Sequence, residues 1–101
     1  MTIPKQWLQI RKSPSEFELD QLKQMADSFK LPFEKVAEKF ADRPFGSMTA
    51  KWRSFVSKLG NDDELWYFCS SKESFGKMMG RQGYAIVRSG KIVDYLVTLQ
   101  S

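Results

Sequence analysis

Apolar residues in the N-terminal half of the chain recur every three or four positions, which is the spacing of an amphipathic helix. Two such stripes are present: Leu22, Met25, Ala26 and Phe29, then Phe33, Val36, Ala37 and Phe40. Ser13 precedes the first stripe, with Pro14 in the first turn and Glu16 three residues on, which is the pattern of a capping box. Pro32 ends the first helix and opens the second. The pattern therefore predicts two consecutive helices.

A third stripe follows a loop at residues 43–47 and consists of Met48, Trp52, Phe55, Val56 and Leu59. Gly60 comes directly after it, in the place of a helix stop, so we expect a helix over residues 49–59. A strand is the alternative, because Trp, Phe and Val are all frequent in strands. Residues 1–12 show no comparable stripe and are expected to form a loose arm that carries Trp7, Leu8 and Ile10.

The C-terminal half changes to short, dense apolar runs of the kind that form strands. Residues 64–69 are apolar on both faces, which predicts a central strand. Ser70 and Glu73 form a second capping box, which predicts a short helix leading into Gly80. Strands at 83–88 and 91–99 flank a two-residue hairpin turn. The order predicts an α+β fold, with a small, mainly antiparallel sheet of about three strands packed with the N-terminal helices and one short inserted helix.

The two-residue turn at Ser89-Gly90 also predicts the register of the hairpin. The expected pairs are Arg88 with Lys91, Val87 with Ile92, Ile86 with Val93, Ala85 with Asp94, and Tyr84 with Tyr95. Arg88 and Lys91 would then oppose each other at the tip, at a cost of about 0.2–1 kcal/mol. This basic corner is either a solvated surface or a site for an anion. Asp94, inside an apolar run, is typical of a charge that protects a sheet edge rather than of a catalytic acid.

Length and composition fit one folded domain over residues 1–101. The 101 residues are 42% hydrophobic and 14% aromatic, which is typical of a globular protein and not of a disordered one. No apolar run approaches the roughly 20 residues of a membrane helix, and the first residues lack the apolar core of a signal peptide. Cys69 is the only cysteine, so no internal disulfide can form and a reducing cytoplasm is expected.

The net charge of +4 is unevenly distributed along the chain. Residues 1–42 carry seven Lys/Arg and seven Asp/Glu, whereas residues 43–101 carry nine and five, so the whole excess of 9 − 5 = 4 lies in the second part. A basic half favours an acidic or polyanionic partner. The same charge is also an ordinary means of keeping a small domain soluble.

Gly80-Arg81-Gln82-Gly83 matches the Gly-x-x-Gly loop with which KH domains hold a nucleic-acid backbone. The match fails downstream, because a KH domain continues with a helix and this chain continues with a hairpin. The favoured interpretation is a bend: Gly80 ends the short helix and Gly83 lets the chain turn into its strand. If the region does bind an anion or a nucleic acid, the candidate contacts are Lys77, Gly80, Arg81, Gly83, Arg88 and Lys91.

Residues 22–40 can also be threaded as a helix-turn-helix. The recognition helix of such a motif would present Glu34, Lys35, Glu38 and Lys39. This set has equal numbers of positive and negative charges, which disfavours binding to the phosphates of a nucleic acid. A plain helical hairpin that covers the sheet is the favoured interpretation.

Catalytic chemistry has few candidates in this sequence. The chain has no histidine, the commonest general base. Cys69 lies in an apolar strand, where thiols are usually unreactive. Asp62-Asp63-Glu64 has no second cluster of ligands, so an acidic turn is favoured over a metal site, and no phosphate-binding or dinucleotide motif occurs. We therefore expect no enzyme activity, no cofactor and no metal.

Aromatic residues are numerous, and a small domain cannot bury all of them. The candidates for exposed contacts are Trp7 on the arm, and Tyr84 and Tyr95 on the hairpin.

The second half of the chain, about residues 50–100, resembles small bacterial proteins that combine a D-E-L-W strand with G-R-x-G-Y-A-x-V-R-x-G and a V-T ending. Here these motifs are residues 63–66, 80–90 and 97–98. The resemblance implies a bacterial, cytoplasmic protein and carries over no activity.

The sequence thus favours a small cytoplasmic binding module with a protein as its partner. The alternative is a weak nucleic-acid-binding protein that uses the basic residues of the GRQG segment and the hairpin, with tyrosines stacking on bases. No membrane association is expected, and the oligomeric state does not follow from the sequence.

Overall fold

A computed structural model describes residues 3–70 and 80–100. These residues contain three helices, α1 (Pro14–Phe29), α2 (Phe33–Phe40) and α3 (Thr49–Val56). Four strands, β1 (Leu8–Arg11), β2 (Glu64–Cys69), β3 (Arg81–Arg88) and β4 (Lys91–Gln100), form one antiparallel sheet in the order β1-β2-β3-β4. Single 3-10 turns lie at Lys5–Trp7 and Gly46–Met48. The α+β fold is confirmed, and none of the helices in the described ranges is long and apolar enough to cross a membrane.

The chain divides into two compact units, Ser13–Ser54 and a unit made of Met1–Lys12 with Phe55–Ser101. The first unit contains α1, α2 and most of α3, and is called the helical unit below. The second contains the sheet and is called the sheet unit. The expectation of one domain over residues 1–101 stays a prediction.

Helix α1 of the helical unit begins with the predicted capping box and ends before Pro32. The backbone N–H of Glu16 donates to Ser13 Oγ at 3.2 Å, and the N–H of Ser13 donates to Glu16 Oε1 at 3.1 Å, which completes the capping box. At the other end Lys30 is left-handed (φ 54°), and the N–H of Leu31 donates to the carbonyl of Ala26 at 3.0 Å. This is a Schellman ending with lysine in the place usually taken by glycine.

Two apolar clusters stabilise the helical unit. Leu22, Ala26 and Val36 are buried between α1 and α2, and Met25, Phe33 and Phe40 pack against them. Trp52 is fully buried, and its indole N–H donates to Glu18 Oε2 at 3.1 Å. The ring of Trp52 meets Phe17 edge-on at 6.4 Å and lies 4.4 Å from the ring of Phe45. Residues 49–56 form helix α3 and not the alternative strand, and α3 ends three residues before the expected residue 59.

The expected loose arm is wrong for its described part, because Leu8–Arg11 is an edge strand of the sheet. Leu8 pairs with Phe68, and Arg11 pairs with Trp66. This strand is also the reason why the sheet has four strands instead of about three. β2 is apolar on both faces and is a central strand, with β3 on one side and β1 on the other. β1 lies more than 50 residues before β2 in the chain.

The hairpin keeps the predicted turn and departs from the predicted register. Ser89 and Gly90 both have positive φ (52° and 76°), as a two-residue hairpin turn of type I′ requires. Arg88 pairs with Lys91, as predicted. Register shifts then leave Val93 and Thr98 as extra residues in β4, and the observed pairs are Val87↔Ile92, Ile86↔Asp94, Ala85↔Tyr95, Tyr84↔Leu96 and Gly83↔Val97. The predicted pairing of Tyr84 with Tyr95 is wrong, because a bulge shifts every pair beyond it by one residue.

The turn predicted at Gly83 is also wrong, whereas the predicted role of Gly80 as a helix stop depends on residues outside those described. β3 begins at Arg81, and Gly83 is a strand residue between Phe68 of β2 and Val97 of β4. A Cβ atom at Gly83 would collide with the backbone carbonyl of Leu96. Glycine is used here for a close approach of two strands and not for a turn. The predicted short helix falls on residues 71–79, which lie outside the described residues.

The two faces of the sheet carry different residues. One face buries Phe68 and Ala85 with Ile3, and Trp7 and Tyr95 are among the residues that pack against this cluster. The other face carries Leu65, Tyr84 and Ile86, each less than 5% exposed. The bulge at Val93 therefore places Tyr95 on the face opposite to Tyr84.

Candidate functional site

The basic corner of the hairpin is held by an ion pair. Arg88 donates from Nε to Asp63 Oδ1 at 2.8 Å and from a terminal nitrogen to Asp63 Oδ2 at 2.7 Å. Asp63 Oδ2 also accepts the backbone N–H of Gly60 at 2.8 Å, and the Asp63 side chain is 3% exposed. These hydrogen bonds, first that from Arg88, lower the pKa of Asp63 to about 2. Arg88 is thus engaged with a carboxylate of its own chain, which also offsets its repulsion from Lys91.

Of the other described candidate cations, Lys91 lies opposite Arg88 at the hairpin tip, whereas Arg81 lies far from it. Arg81 is partly buried and donates from its guanidinium to the carbonyl of Gly80 at 2.9 Å. Gly80 and Gly83 are buried, whereas Lys91 is exposed. Arg81 and Arg88 lie at opposite ends of β3, about 23 Å apart at ~3.3 Å per residue. Lys77 lies outside the described residues.

The three candidate aromatic contacts are divided between the two faces of the sheet. Tyr84 is 4% exposed and its ring meets Tyr67 edge-on at 5.9 Å. Trp7 stacks on Phe68 at 6.4 Å. Tyr95 packs on the same cluster as Trp7, on the face opposite to Tyr84. Two tyrosines on opposite faces do not form one stacking platform beside Arg88.

The groups with potential for chemistry in the sheet unit are Tyr67, Cys69 and Asp63. Burial raises the pKa of Tyr67 to about 12, so its hydroxyl stays protonated. Cys69 is a partly buried free thiol in β2. Asp63 is bound by Arg88, and residues 3–70 and 80–100 contain no cluster of three or more His, Cys, Asp or Glu side chains that could hold a metal ion.

Asp94 lies on the edge strand β4, and both oxygens of its carboxylate accept hydrogen bonds. Its Oδ1 accepts the backbone N–H of the next residue, Tyr95, at 2.8 Å, and its Oδ2 accepts Lys58 Nζ at 2.9 Å. Hydrogen bonding from Lys58, the larger cause, and from that backbone N–H lowers the pKa of Asp94. A carboxylate that is charged at neutral pH and occupies a strand N–H interferes with the pairing of a further strand there.

The most exposed large apolar side chain among the described residues lies where α1 ends. Phe29 is 56% exposed, and Leu31, two residues on, is 42% exposed. The ring of Phe29 lies 6.2 Å from that of Phe40, which packs on the core of the helical unit. Phe29, Leu31 and Phe40 are called the apolar corner below. The sequence placed Phe29 in a buried stripe, because periodicity alone does not show where the neighbouring helix stops covering α1.

Comparisons of this chain with known proteins find no relative. No protein-family model matches the chain, and searches of the curated proteins and of the solved structures find no match.

Proposed function

We propose that this chain is a non-enzymatic protein-binding module of the bacterial cytoplasm, and that it contacts its partner through the apolar corner. The observation that carries the proposal is the exposure of Phe29 and Leu31 at 56% and 42%. Adjacent exposed apolar side chains on a small domain are typical of contact surfaces between proteins, where aromatic residues contribute much of the binding energy.

The backbone at this point supports the proposal. Lys30 adopts a left-handed conformation, which costs a non-glycine residue about 1 kcal/mol or more. This conformation ends α1 between the two exposed apolar residues and turns the chain into α2. Exposed charges of both signs, Asp27 and Lys30, adjoin the apolar side chains. An apolar centre with a charged rim is the usual composition of an interface between two proteins.

The experiment is an affinity capture from a lysate of the source organism, with quantitative mass spectrometry. The chain is compared with its Phe29→Ser/Leu31→Ser variant and with Leu19→Ser as the control. Leu19 is 41% exposed on α1, ten residues before Phe29, and lies outside the apolar corner. We expect a protein that both the native chain and Leu19→Ser enrich, and that the double variant loses.

Circular dichroism melts of the three chains show whether each is folded. A double variant that captures the same proteins as the native chain contradicts the proposal. Capture that disappears on nuclease treatment would instead favour the alternative, a nucleic-acid-binding protein that uses the basic residues of the sheet unit.

A further inference from the structure

Within residues 3–70 and 80–100, the two edges of the sheet are β1 and β4, and their backbone groups are covered to different degrees. An edge strand presents unpaired N–H and C=O groups to which another strand can add. On β4 the bulges at Val93 and Thr98 interrupt the edge, and Asp94 occupies the N–H of Tyr95. On β1 the structure shows one irregularity, between Leu8 and Ile10. The two edges therefore differ in their readiness to accept a strand.

The register of β1 shows which backbone groups face outward. The N–H of Lys12 donates to the carbonyl of Leu65 at 3.2 Å, and Arg11 is opposite Trp66. Hydrogen-bonded and non-hydrogen-bonded pairs alternate along an antiparallel ladder. Because the neighbouring residue bonds to β2, the N–H and C=O of Arg11 point away from β2, toward the open edge. Ile10 adds an apolar contact, since its side chain is 48% exposed.

The charge at this edge selects the partner. Residues 3–12 contain Lys5, Arg11 and Lys12 and no acidic residue. The Arg11 side chain is 60% exposed, and its ion pair with Glu64 is long, at 3.7 Å. Adding the same strand of a second copy would bring like charges together, which disfavours pairing. An acidic strand would meet charges of the opposite sign.

We propose that the outer edge of β1 binds an extended, acidic segment of another protein as a fifth strand. Backbone hydrogen bonds at Arg11 would supply the pairing, Ile10 would contact an apolar residue of the segment, and the cations would fix the sign of its charge. This surface belongs to the sheet unit and shares no residue with the apolar corner, which belongs to the helical unit, so the two proposals stand or fall independently.

The experiment is an NMR titration of the amide-labelled chain with two synthetic seven-residue peptides. One peptide alternates valine with glutamate, and the other alternates valine with lysine. We expect amide shifts centred on residues 8–12 with the acidic peptide, and affinity for the basic peptide weaker by roughly tenfold or more. Equal affinity for the two peptides, or shifts outside β1, would overturn the proposal. Tighter binding of a single-stranded DNA oligonucleotide at β1 would overturn it too.

Two variants of Arg11 separate the backbone contribution from the charge. Arg11→Pro removes the outward N–H and leaves the ladder to β2 intact, because proline is tolerated where the N–H faces away from the sheet. Arg11→Ala keeps the N–H and removes the cation. We expect no binding of the acidic peptide by Arg11→Pro, weakened binding by Arg11→Ala, and native binding by the control Lys51→Ala, which removes an exposed cation of the helical unit.

A folded Arg11→Pro variant that binds like the native chain refutes the strand pairing. If this variant does not fold, Arg11→Ala and the mapped shifts of the native chain still decide the outcome. The Phe29→Ser/Leu31→Ser variant is titrated in parallel and is expected to bind the acidic peptide normally. The peptide titration therefore tests the proposal for the β1 edge, and its outcome does not bear on the proposal for the apolar corner.

Discussion

Gly83→Ala is expected to destabilise the chain more than any ordinary glycine substitution. The added Cβ would stand 2.9 Å from the carbonyl carbon and 3.0 Å from the Cα atom of the two residues that face it, Leu96 and Val97, and closer still to the Leu96 carbonyl oxygen. Carbon atoms in contact prefer about 3.5–4.0 Å. The flexible end of a side chain could move aside, but these atoms are backbone, so β4 itself has to shift.

The size of the effect follows from what that shift breaks. Overpacking of a tight site costs about 1–3 kcal/mol. Weakening the two nearest hydrogen bonds of the β3–β4 ladder adds about 0.5–1.5 kcal/mol each. Allowing for partial relaxation, we expect the free energy of unfolding to fall by about 2–4 kcal/mol, out of a total of about 5–15 kcal/mol for a domain of this kind.

The assay is urea denaturation followed by tryptophan fluorescence, with thermal melts as a second measure. The loss corresponds to a fall in Tm of roughly 10–30 °C for a chain of this length. Gly60→Ala is the matched control, because the atoms nearest to its Cβ would be those of the Asp63 side chain, at 3.4 Å or more. We expect this control to stay within about 1 kcal/mol of the native chain. A Gly83→Ala variant as stable as the control would refute the close approach of β3 and β4.

Three further predictions concern the sheet unit. The pKa of Asp63 is about 2 in the folded chain, against an ordinary value of 3.8. The stability from its ion pair with Arg88 is therefore present above about pH 4 and is lost as pH falls toward 2. Asp63→Asn should remove this part of the acid sensitivity in urea titrations at about pH 2–5. Asp94→Ala removes the acceptor that occupies the N–H of Tyr95, so light scattering should show faster self-association, and a variant as monodisperse as the native chain would contradict the edge-protecting role. Phe68 is fully buried, and Phe68→Ala should lower the free energy of unfolding by about 3–5 kcal/mol; a loss below 1 kcal/mol would show that the cluster is not a core.

The elements that the sequence predicts correctly depend on local signals. The capping box at Ser13 and Glu16 marks the start of α1, and the two positive-φ residues at Ser89-Gly90 mark the hairpin turn. A capping box or a tight turn needs only residues within four positions of each other. Its pattern is therefore complete in a short window of sequence.

The features that the sequence predicts wrongly depend on distant partners. β1 has four residues and pairs with a strand more than 50 residues away, so no local pattern announces it. The bulge at Val93 has no signature of its own, and it changes the face on which Tyr95 lies. The ion pair between Asp63 and Arg88 joins residues 25 apart, and it turns the most conspicuous candidate for an anion contact into a structural residue. A signal was present at Gly83, since a glycine inside a strand often marks a close backbone approach.

The uneven regularity of the sheet sets the order in which it opens. β2 and β3 are joined by six consecutive pairs, Glu64↔Val87 through Cys69↔Gln82, without a shift of register. β4 is divided by its bulges into three short paired stretches, and β1 contributes one irregular stretch. Short interrupted ladders open by local fluctuation, whereas a continuous buried ladder opens only when the whole unit unfolds. Amide hydrogen exchange should therefore be slowest for the amides bonded between β2 and β3. The outer strands should exchange through partial openings that leave this central pair closed.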